Sequence, residues 1–461
     1  MRHGSLKRCA VLAAAASAWL TAEAEAQLRI VQYNTHNSAP RPTLPVVLQA
    51  LSLESINGIM RAPDILTIQE VDTSLSRAEA VKNALNTIYG AGTYARSTLA
   101  GASTDGMTQA VVYRTAAVTL VEQVQVGTAS TSGAPRAPLR FKFRPVGYSS
   151  QADFFIYNSH YKAGDTSADR TRREVEANTI RANADTLGNA HLIYAGDFNT
   201  YSSTEAGYQK LLSAGNGQAS DPINTPGSWS NNSAFAAVHT QSPALTSSTA
   251  TSGLTLGGMD DRFDFQLMSN EMLDGEGLSY IGLGVTGLHV SPTMHSYRAF
   301  GNNGTTFNKD INNASNTALP ASTYTGSGTM SRTAVLNALY SASDHVPVVT
   351  DIQLPAKMLA TLGAYPSQMI VGGTASVSIG VANSATPSVV IGADELDYAG
   401  SGGGAVSGSF GGTDNPLGGS NTHSLTLTAL TAGPKTGTVS VNATSQQAEN
   451  ANFFFNLNWD V

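Results

Sequence analysis

The residues with the clearest capacity for chemistry stand at the ends of short apolar runs. In His191-Leu192-Ile193-Tyr194-Ala195-Gly196-Asp197-Phe198-Asn199-Thr200, Leu192 to Ala195 reads as a buried strand that stops at Gly196. On extended backbone alternate side chains share a face, so Asp197 and Asn199 point into one pocket while Phe198 turns into the core. A carboxylate that accepts a proton, beside an amide that orients a water, is a hydrolytic pairing. Taken alone, Gly-Asp-Phe-Asn reads more simply as a strand followed by an Asx turn. Other segments repeat the pattern. Leu28–Asn34 ends on Asn34, Asp64–Glu70 on Glu70 and Ala152–His160 on His160. Asp344 and His345 open the segment Asp344–Ile352, and Asp264 lies within Arg262–Met268. Each has an ordinary structural explanation by itself, but strand ends along one edge of a sheet form a common mouth.

These side chains make chemical sense as a set. Carboxylates and an amide, with no thiol and no His-x-His spacing, suit a hard cation such as Mg²⁺, Mn²⁺ or Ca²⁺ better than zinc. Two histidines near such an ion bind phosphate oxygens and stabilise the charge that builds on them. Asp197 is then free to take a proton from an attacking water. The chemistry is metal-assisted hydrolysis of a phosphoester.

The elements that must position these residues alternate between strand and helix. Ala78, Val81, Leu85 and Ile88 recur at helical spacing and stop at Gly90. Gln109–Tyr113, Val118–Val126 and Leu139–Phe143 read as further strands. Residues 170–187 read as a helix with Thr171 and Glu174 as its capping box and Gly188 as its stop, leading straight into the Asp197 strand. Strand–helix–strand steps of this kind build α/β layers. Residues 200–258 and 284–330 are polar and weakly periodic, and read as substrate-side loops with a short helix at Tyr208–Leu212. Beyond Pro355 helical periodicity disappears. Ala375–Val381, Val389–Leu396, His423–Ala429, Gly437–Ala443 and Phe453–Trp459 suggest an immunoglobulin-like β-sandwich, either a spacer or a module that binds a surface or substrate.

At 461 residues the chain is long enough for two domains, and its net charge of −7 argues against a broad basic face for clamping nucleic acid. The amino terminus has the pattern of an export signal: Arg2, Lys7 and Arg8, then the apolar run Ala10–Leu20, then Ala24-Glu25-Ala26. The expected mature protein starts at Gln27, is secreted or periplasmic, and lacks the only cysteine, Cys9. The expected units are a signal peptide at 1–26, a catalytic domain at 27–354 and a β-sandwich at 355–461.

The ordered series Gln-Tyr-Asn34, Ile-Gln-Glu70, Asn-Ser-His160, Gly-Asp197-Phe-Asn199, Arg-Phe-Asp264-Phe and Ser-Asp344-His345 resembles the endonuclease/exonuclease/phosphatase superfamily, the deoxyribonuclease-I-like fold. The resemblance covers roughly residues 28–354. It implies a four-layer α/β sandwich, two packed β-sheets flanked by helices, with the site at one end. It also implies roles: Glu70 as principal metal ligand with Asn34 beside it and Asp344 in support, and Asp197 activating a water that Asn199 orients. His160 and His345 would contact the scissile phosphate, His345 paired with Asp264. Many members begin the first motif with Trp-Asn, where this chain has Tyr33-Asn34.

Three functions follow as alternatives. The first is a secreted, Mg²⁺-dependent nuclease, with Lys162, Arg170, Arg172 and Arg173 as candidate phosphate-backbone contacts. The second is a phosphatase or phosphodiesterase acting on small or lipid phosphoesters such as inositol phosphates or sphingomyelin. A lipid substrate calls for exposed aromatic residues, and the loops offer only Trp229, Phe235 and Tyr297. The third is a surface-binding module without activity. His239, His295, Asp260 and Asp261 lie near these loops and read as structural.

Overall fold

The computed structural model describes residues 26–37, 40–282, 295–325 and 328–461. The expected signal segment before Ala26, with Cys9, lies outside them, as does part of the 284–330 loop. None of the described helices is long and apolar enough to cross a membrane.

Two β-sheets face each other in residues 26–354. In the first, β1 (Gln27–Asn34) lies between a parallel β2 (Ile65–Asp72) and an antiparallel strand, Val348–Gln353, and β3 (Met107–Arg114) pairs with β2. The second runs β4 (Val118–Gln125), β5 (Leu139–Pro145), β6 (Phe154–His160), β7 (Leu192–Asp197) and β8 (Asp264–Ser269) in spatial order. Helices α1 (Leu44–Ala50) and α2 (Ser76–Tyr89), with Arg332–Ala342, cover the outer face of the first sheet. Helices α3 (Ser167–Asp185) and α4 (Ala206–Leu212) cover the second. Three separate apolar cores fill the three spaces between the four layers. This is the expected four-layer α/β sandwich.

Strand alternation explains which residues enter which core. Along β1, Val31 and Tyr33 join the helices, whereas Leu28 and Ile30 enter the space between the sheets. The next two positions on that inner face are Gln32 and Asn34. In β6, Phe154 and Ile156 give way to Asn158 and His160. In β7, Ile193 and Ala195 give way to Asp197. The inter-sheet space is therefore oily at one end and polar at the other.

The helix leading to β7 starts earlier than its periodicity suggests. Thr166 caps it, accepting from the Asp169 N–H while Asp169 returns a bond to the Thr166 backbone. Thr171 instead sits inside the first turns and bonds back to the Ser167 carbonyl. Helix α1 begins within a proline-rich stretch; Pro45 occupies an initial helical position, where its missing N–H costs nothing.

From Met358 onward the chain forms two four-stranded antiparallel sheets around one apolar core containing Val377, Ile379, Val439, Val441, Leu457 and Trp459. The segment Val389–Leu396 is no strand here: it holds a short 3₁₀ turn, and the glycine-rich Leu396–Gly404 forms the strand instead. This sandwich sits against the end of the α/β layers where β1 begins. Ala26 N–H donates to the Thr386 carbonyl at 3.3 Å, Ser149 N–H to Glu449 at 2.7 Å, and Gly277 N–H to Asp394 at 2.9 Å. Lys357 lies over the Tyr148 ring, 4.1 Å from its centre.

Candidate active site

All eight sequence-selected residues lie toward the polar end of the inter-sheet space. Parallel pairing of β6 with β7 sets His160 opposite Asp197, and antiparallel pairing of β7 with β8 sets Asp197 opposite Asp264. Close approach at this end requires a glycine. A Cβ on Gly196 would stand 2.0 Å from the Ser159 carbonyl oxygen, so any side chain there would prise β7 from β6.

Glu70 reaches the mouth through a departure from regular strand geometry. Strict alternation from Leu66 and Ile68 would send it into the helix-side core. Instead the register of β2 against β3 slips between Ile68 and Val71, and Glu70 takes a left-handed φ of 59°. Val71 then resumes packing against the helices. A bulge of this kind re-aims one side chain at a local conformational cost, which is why such features gather at active sites.

Asn34 is the hub. Its side-chain nitrogen donates to Glu70 Oε1 at 3.1 Å and to Asp197 Oδ2 at 3.0 Å, and lies 3.4 Å from His345 Nε2. Asp197 Oδ2 is also 3.5 Å from His160 Nε2 and 3.6 Å from His345 Nε2. Its other oxygen accepts the Asn199 N–H at 3.0 Å, made possible by a left-handed Asn199. The Asn199 side chain turns to the Tyr161 carbonyl at 3.2 Å. Phe198 is buried and stacks between Tyr161 and Phe265. His345 Nδ1 meets Asp264 Oδ2 at 2.7 Å. Asp344 accepts the Thr255 N–H at 3.0 Å, and Ser343 binds the Asn34 carbonyl at 2.7 Å.

Behind this group lies a layer of buried amides that the sequence reading passed over. Gln32 donates to both Gln69 and Asp264 at 2.8 Å, and Gln69 donates to Asn158 at 2.7 Å. Asn158 in turn donates to the Ile68 and Ala110 carbonyls. Buried polar groups are stable only when bonded, and here they bond one another across the two sheets. The one signal was position: each stands one or two residues before Asn34, Glu70 or His160. Thr240 accepts the N–H groups of Phe263 and Asp264 at 3.2 Å, and the Gln241 amide lies 2.9 Å from His345 Nε2. Arg136 reaches the His160 and Tyr161 carbonyls at 3.4 Å and pairs with Asp105.

The electrostatics separate the two histidines. Burial lowers the His160 ring well below the usual histidine range, and Arg136 and His345 push the same way, so it is neutral. Burial also acts to lower His345, but Asp264 and Asp197 outweigh it and hold the ring well above that range. Asp197 is pushed up to about 7, first by burial and then by Asp264 and Glu70, against the pull of His345 and Asn34. A base poised near neutrality beside a charged histidine and a neutral one suits attack of water on an anionic centre.

The residues present fit a sparsely held, largely hydrated hard cation. Among the described residues no three of His, Cys, Asp and Glu gather into a ready metal cluster. Glu70 offers carboxylate oxygens, in keeping with Mg²⁺, which takes one or two protein carboxylates and keeps several waters. Asn34 turns its nitrogen to Glu70 while its oxygen accepts the His36 N–H at 3.0 Å, so its oxygen reaches an ion there only after the amide turns over.

The candidate phosphate-backbone cations are all engaged elsewhere. Lys162 pairs with Asp169 at 2.9 Å and Arg170 with Asp165 at 2.7 Å. Arg172 holds the Gly133 and Ser130 carbonyls, and buried Arg173 pairs with Glu205. Trp229 and Tyr297 are buried, so neither offers a membrane-facing ring. His239 is buried between the Trp229 and Met259 carbonyls, and His295 is buried beside Tyr280.

No protein-family model and no curated protein matches this chain. Among solved structures it is similar to an endonuclease/exonuclease/phosphatase family protein from Bacteroides thetaiotaomicron, at 16% identity over 71% of this chain and 95% of that one, with a TM-score of 0.41. It is similar to a mannosyl-6-phosphatase from the same organism at 16% identity, over 70% of this chain and 99% of that one, TM-score 0.39. An endonuclease/exonuclease/phosphatase from Beutenbergia cavernae aligns at 12% identity over 94% of this chain and 100% of that one, TM-score 0.40. The region 26–354 is by its own layers and strand pairing a four-layer α/β sandwich, with the quoted motifs in chain order toward one end, the architecture that the resemblance implies.

Proposed function

We propose that the protein is a divalent-metal-dependent phosphoester hydrolase that cleaves by direct attack of water. The observation that carries the reading is the convergence on Asp197 Oδ2 of Asn34, His160 and His345, from three other strands or strand ends, each within 3.6 Å. When bound at Glu70, Mg²⁺ supplies charge neutralisation at the phosphate. Asp197 takes the proton from the attacking water, and the Asn199 N–H fixes its carboxylate. His345, kept charged by Asp264, donates to a nonbridging oxygen; neutral His160 adds a second contact. Asp197, His160 and His345 are held in place by their strands and by Asp264 before substrate arrives, so these three need little reorganisation as charge develops.

Nucleic acid is the first substrate class in this proposal. A second reading, a small soluble phosphoester, is favoured because Arg172 and Arg173 are spent inside the protein and Lys162 and Arg170 sit beside Asp169 and Asp165, which lessens the positive charge a long polyanion would meet. The test is purified protein with and without Mg²⁺, Mn²⁺ or Ca²⁺, assayed against DNA, RNA, inositol phosphates, sphingomyelin and a small aryl phosphodiester. Metal-stimulated release of product from any of them, lost in Glu70→Ala together with metal affinity, supports the proposal. No hydrolysis under any metal, or unaltered metal affinity in Glu70→Ala, overturns it.

A further inference from the structure

Gln241 belongs to none of the motifs above, yet its side chain ends at the most reactive corner of the site. Its backbone is clamped from one side: the Gln241 N–H donates to the Asp261 carbonyl at 3.1 Å, and the Asp260 and Asp261 N–H groups return to the Gln241 carbonyl at 2.9 and 3.0 Å. The neighbouring Thr240 carbonyl accepts the Val346 N–H at 2.8 Å. On the other side the Ser242 N–H donates to the Gly258 carbonyl at 2.9 Å, so only the half-buried Gln241 side chain is free to move, and it lies 2.9 Å from His345 Nε2.

His345 Nδ1 is taken by Asp264, so Nε2 is the one ring atom left to face substrate. Asn34 Nδ2 approaches the same atom at 3.4 Å. A charged ring carries a hydrogen on Nε2, so the Gln241 carboxamide bonds it with the amide turned to present its oxygen, while Asn34 Nδ2 lies alongside and donates to Glu70 and Asp197. The spot this oxygen takes is bordered by N–H groups from separate segments, the geometry that receives an oxyanion. A carboxamide suits it because the group donates twice, carries no charge that would repel phosphate, and turns over to exchange donor for acceptor.

We propose that Gln241 is a phosphate-contacting residue. In the free protein its amide occupies the position that a nonbridging phosphate oxygen takes at His345 Nε2, and in the complex it turns aside and donates to that same oxygen. The assignment rests on the phosphoesterase reading for its catalytic consequence, but not for its binding consequence. The two are tested separately.

The binding test uses inorganic phosphate and orthovanadate, measured by calorimetry on wild type, Gln241→Ala and Gln241→Glu, each checked for an unchanged thermal midpoint. The expected result is weakening by about tenfold in Gln241→Ala, the scale of one lost charge-assisted bond, and more in Gln241→Glu, which still bonds His345 but repels an anion. The catalytic test follows kcat and KM on a small aryl phosphodiester, with a fall in kcat/KM on the order of 10²-fold in Gln241→Ala and a larger fall in Gln241→Glu. Gln241→Asn, with the amide on a shorter arm, recovers part of the loss. Should Gln241→Glu match wild type while Gln241→Ala fails, Gln241 merely braces His345 and the proposal is overturned. Equal phosphate affinity in all the variants overturns it too. Absence of hydrolysis by wild type would strike the function proposed above, while the phosphate titrations still decide the role of Gln241.

Discussion

The chain contains two sheet-on-sheet packings, and they fill the space between sheets differently. In the carboxy-terminal sandwich that space is apolar from Met358 and Val381 to Leu457 and Trp459, and the buried polar side chains beside it serve backbone groups: Asn383 donates to the Asp394 carbonyl at 2.8 Å, and Asp414 accepts the Asn383 N–H at 2.7 Å. In the α/β sandwich the same alternation starts with Leu28, Ile30, Ile156 and Ile193 but ends with Gln32, Asn158, Asp197 and Asp264. Burying an amide or carboxylate costs free energy unless every bond lost to water is replaced. The carboxy-terminal sandwich meets the cost with side chains that close backbone turns; the other meets it at one end with a chain of amides that bond one another and join both sheets. Buried side chains that bond one another beside carboxylates and histidines mark a surface shaped by chemistry, and those that only close backbone mark one shaped by stability.

Breaking the comparison at its most functional point gives the largest expected effect. Asp197→Asn keeps the shape and removes the proton acceptor, so kcat falls by about 10²–10⁴-fold with little change in KM. The midpoint of thermal unfolding does not drop, because a carboxyl that burial pushes up to about 7 is replaced by a neutral group. Steady-state kinetics and calorimetry on one preparation check both halves; a fall in stability without loss of rate would make Asp197 a structural acid.

A smaller effect is expected one shell back. Asp264→Asn removes the largest influence raising His345, so its imidazolium persists over a narrower range. The sign follows: with less to hold the proton, the alkaline limb of the pH–rate profile moves to lower pH, and kcat at the optimum falls by about 10–10²-fold. Superimposable profiles would mean that the 2.7 Å contact between the two residues does not govern protonation.

The smallest effect on rate comes from the other sandwich. Leu457 is fully buried there, and Leu457→Ala should cost about 2–5 kcal/mol of that sandwich's stability while kcat stays within twofold, roughly. Denaturant unfolding alongside the rate assay measures it. A parallel loss of kcat would show that the apolar sandwich helps shape the site.

The sequence made some of this legible because the relevant rules are local. A carboxylate or histidine that ends an apolar run is visible, and so were Asn34, Glu70, His160, Asp197 and Asp264 as candidates. Gln32, Gln69 and Asn158 escaped because an amide inside a strand carries no mark of its own; only the register between two distant strands reveals that Gln69 meets Asn158. The strand Leu396–Gly404 escaped for the opposite reason. Its glycines lower strand propensity, and pairing with Tyr398–Gly404 against Gly437–Ala443 overrides it. Thr171 reads as the cap because it precedes Glu174 by three residues; Thr166 stands in the same relation to Asp169, and only the backbone decides which lies outside the helix. The four cations after His160 looked available because the sequence does not show what each one meets: Asp165 and Asp169 stand among them, Arg172 is spent on backbone carbonyls, and Glu205, which takes Arg173, lies in a different element.

The docking of the sandwich at the starting end of β1 fixes a direction. Ala26 and Gln27 touch the sandwich through Thr386 and Ser388, while Asn34, at the far end of the same strand, belongs to the site. Eight residues of extended chain separate the two by about 25 Å. A surface that gripped the sandwich on the side away from β1 would thus hold the mouth facing away from it, like a lamp fixed by its base.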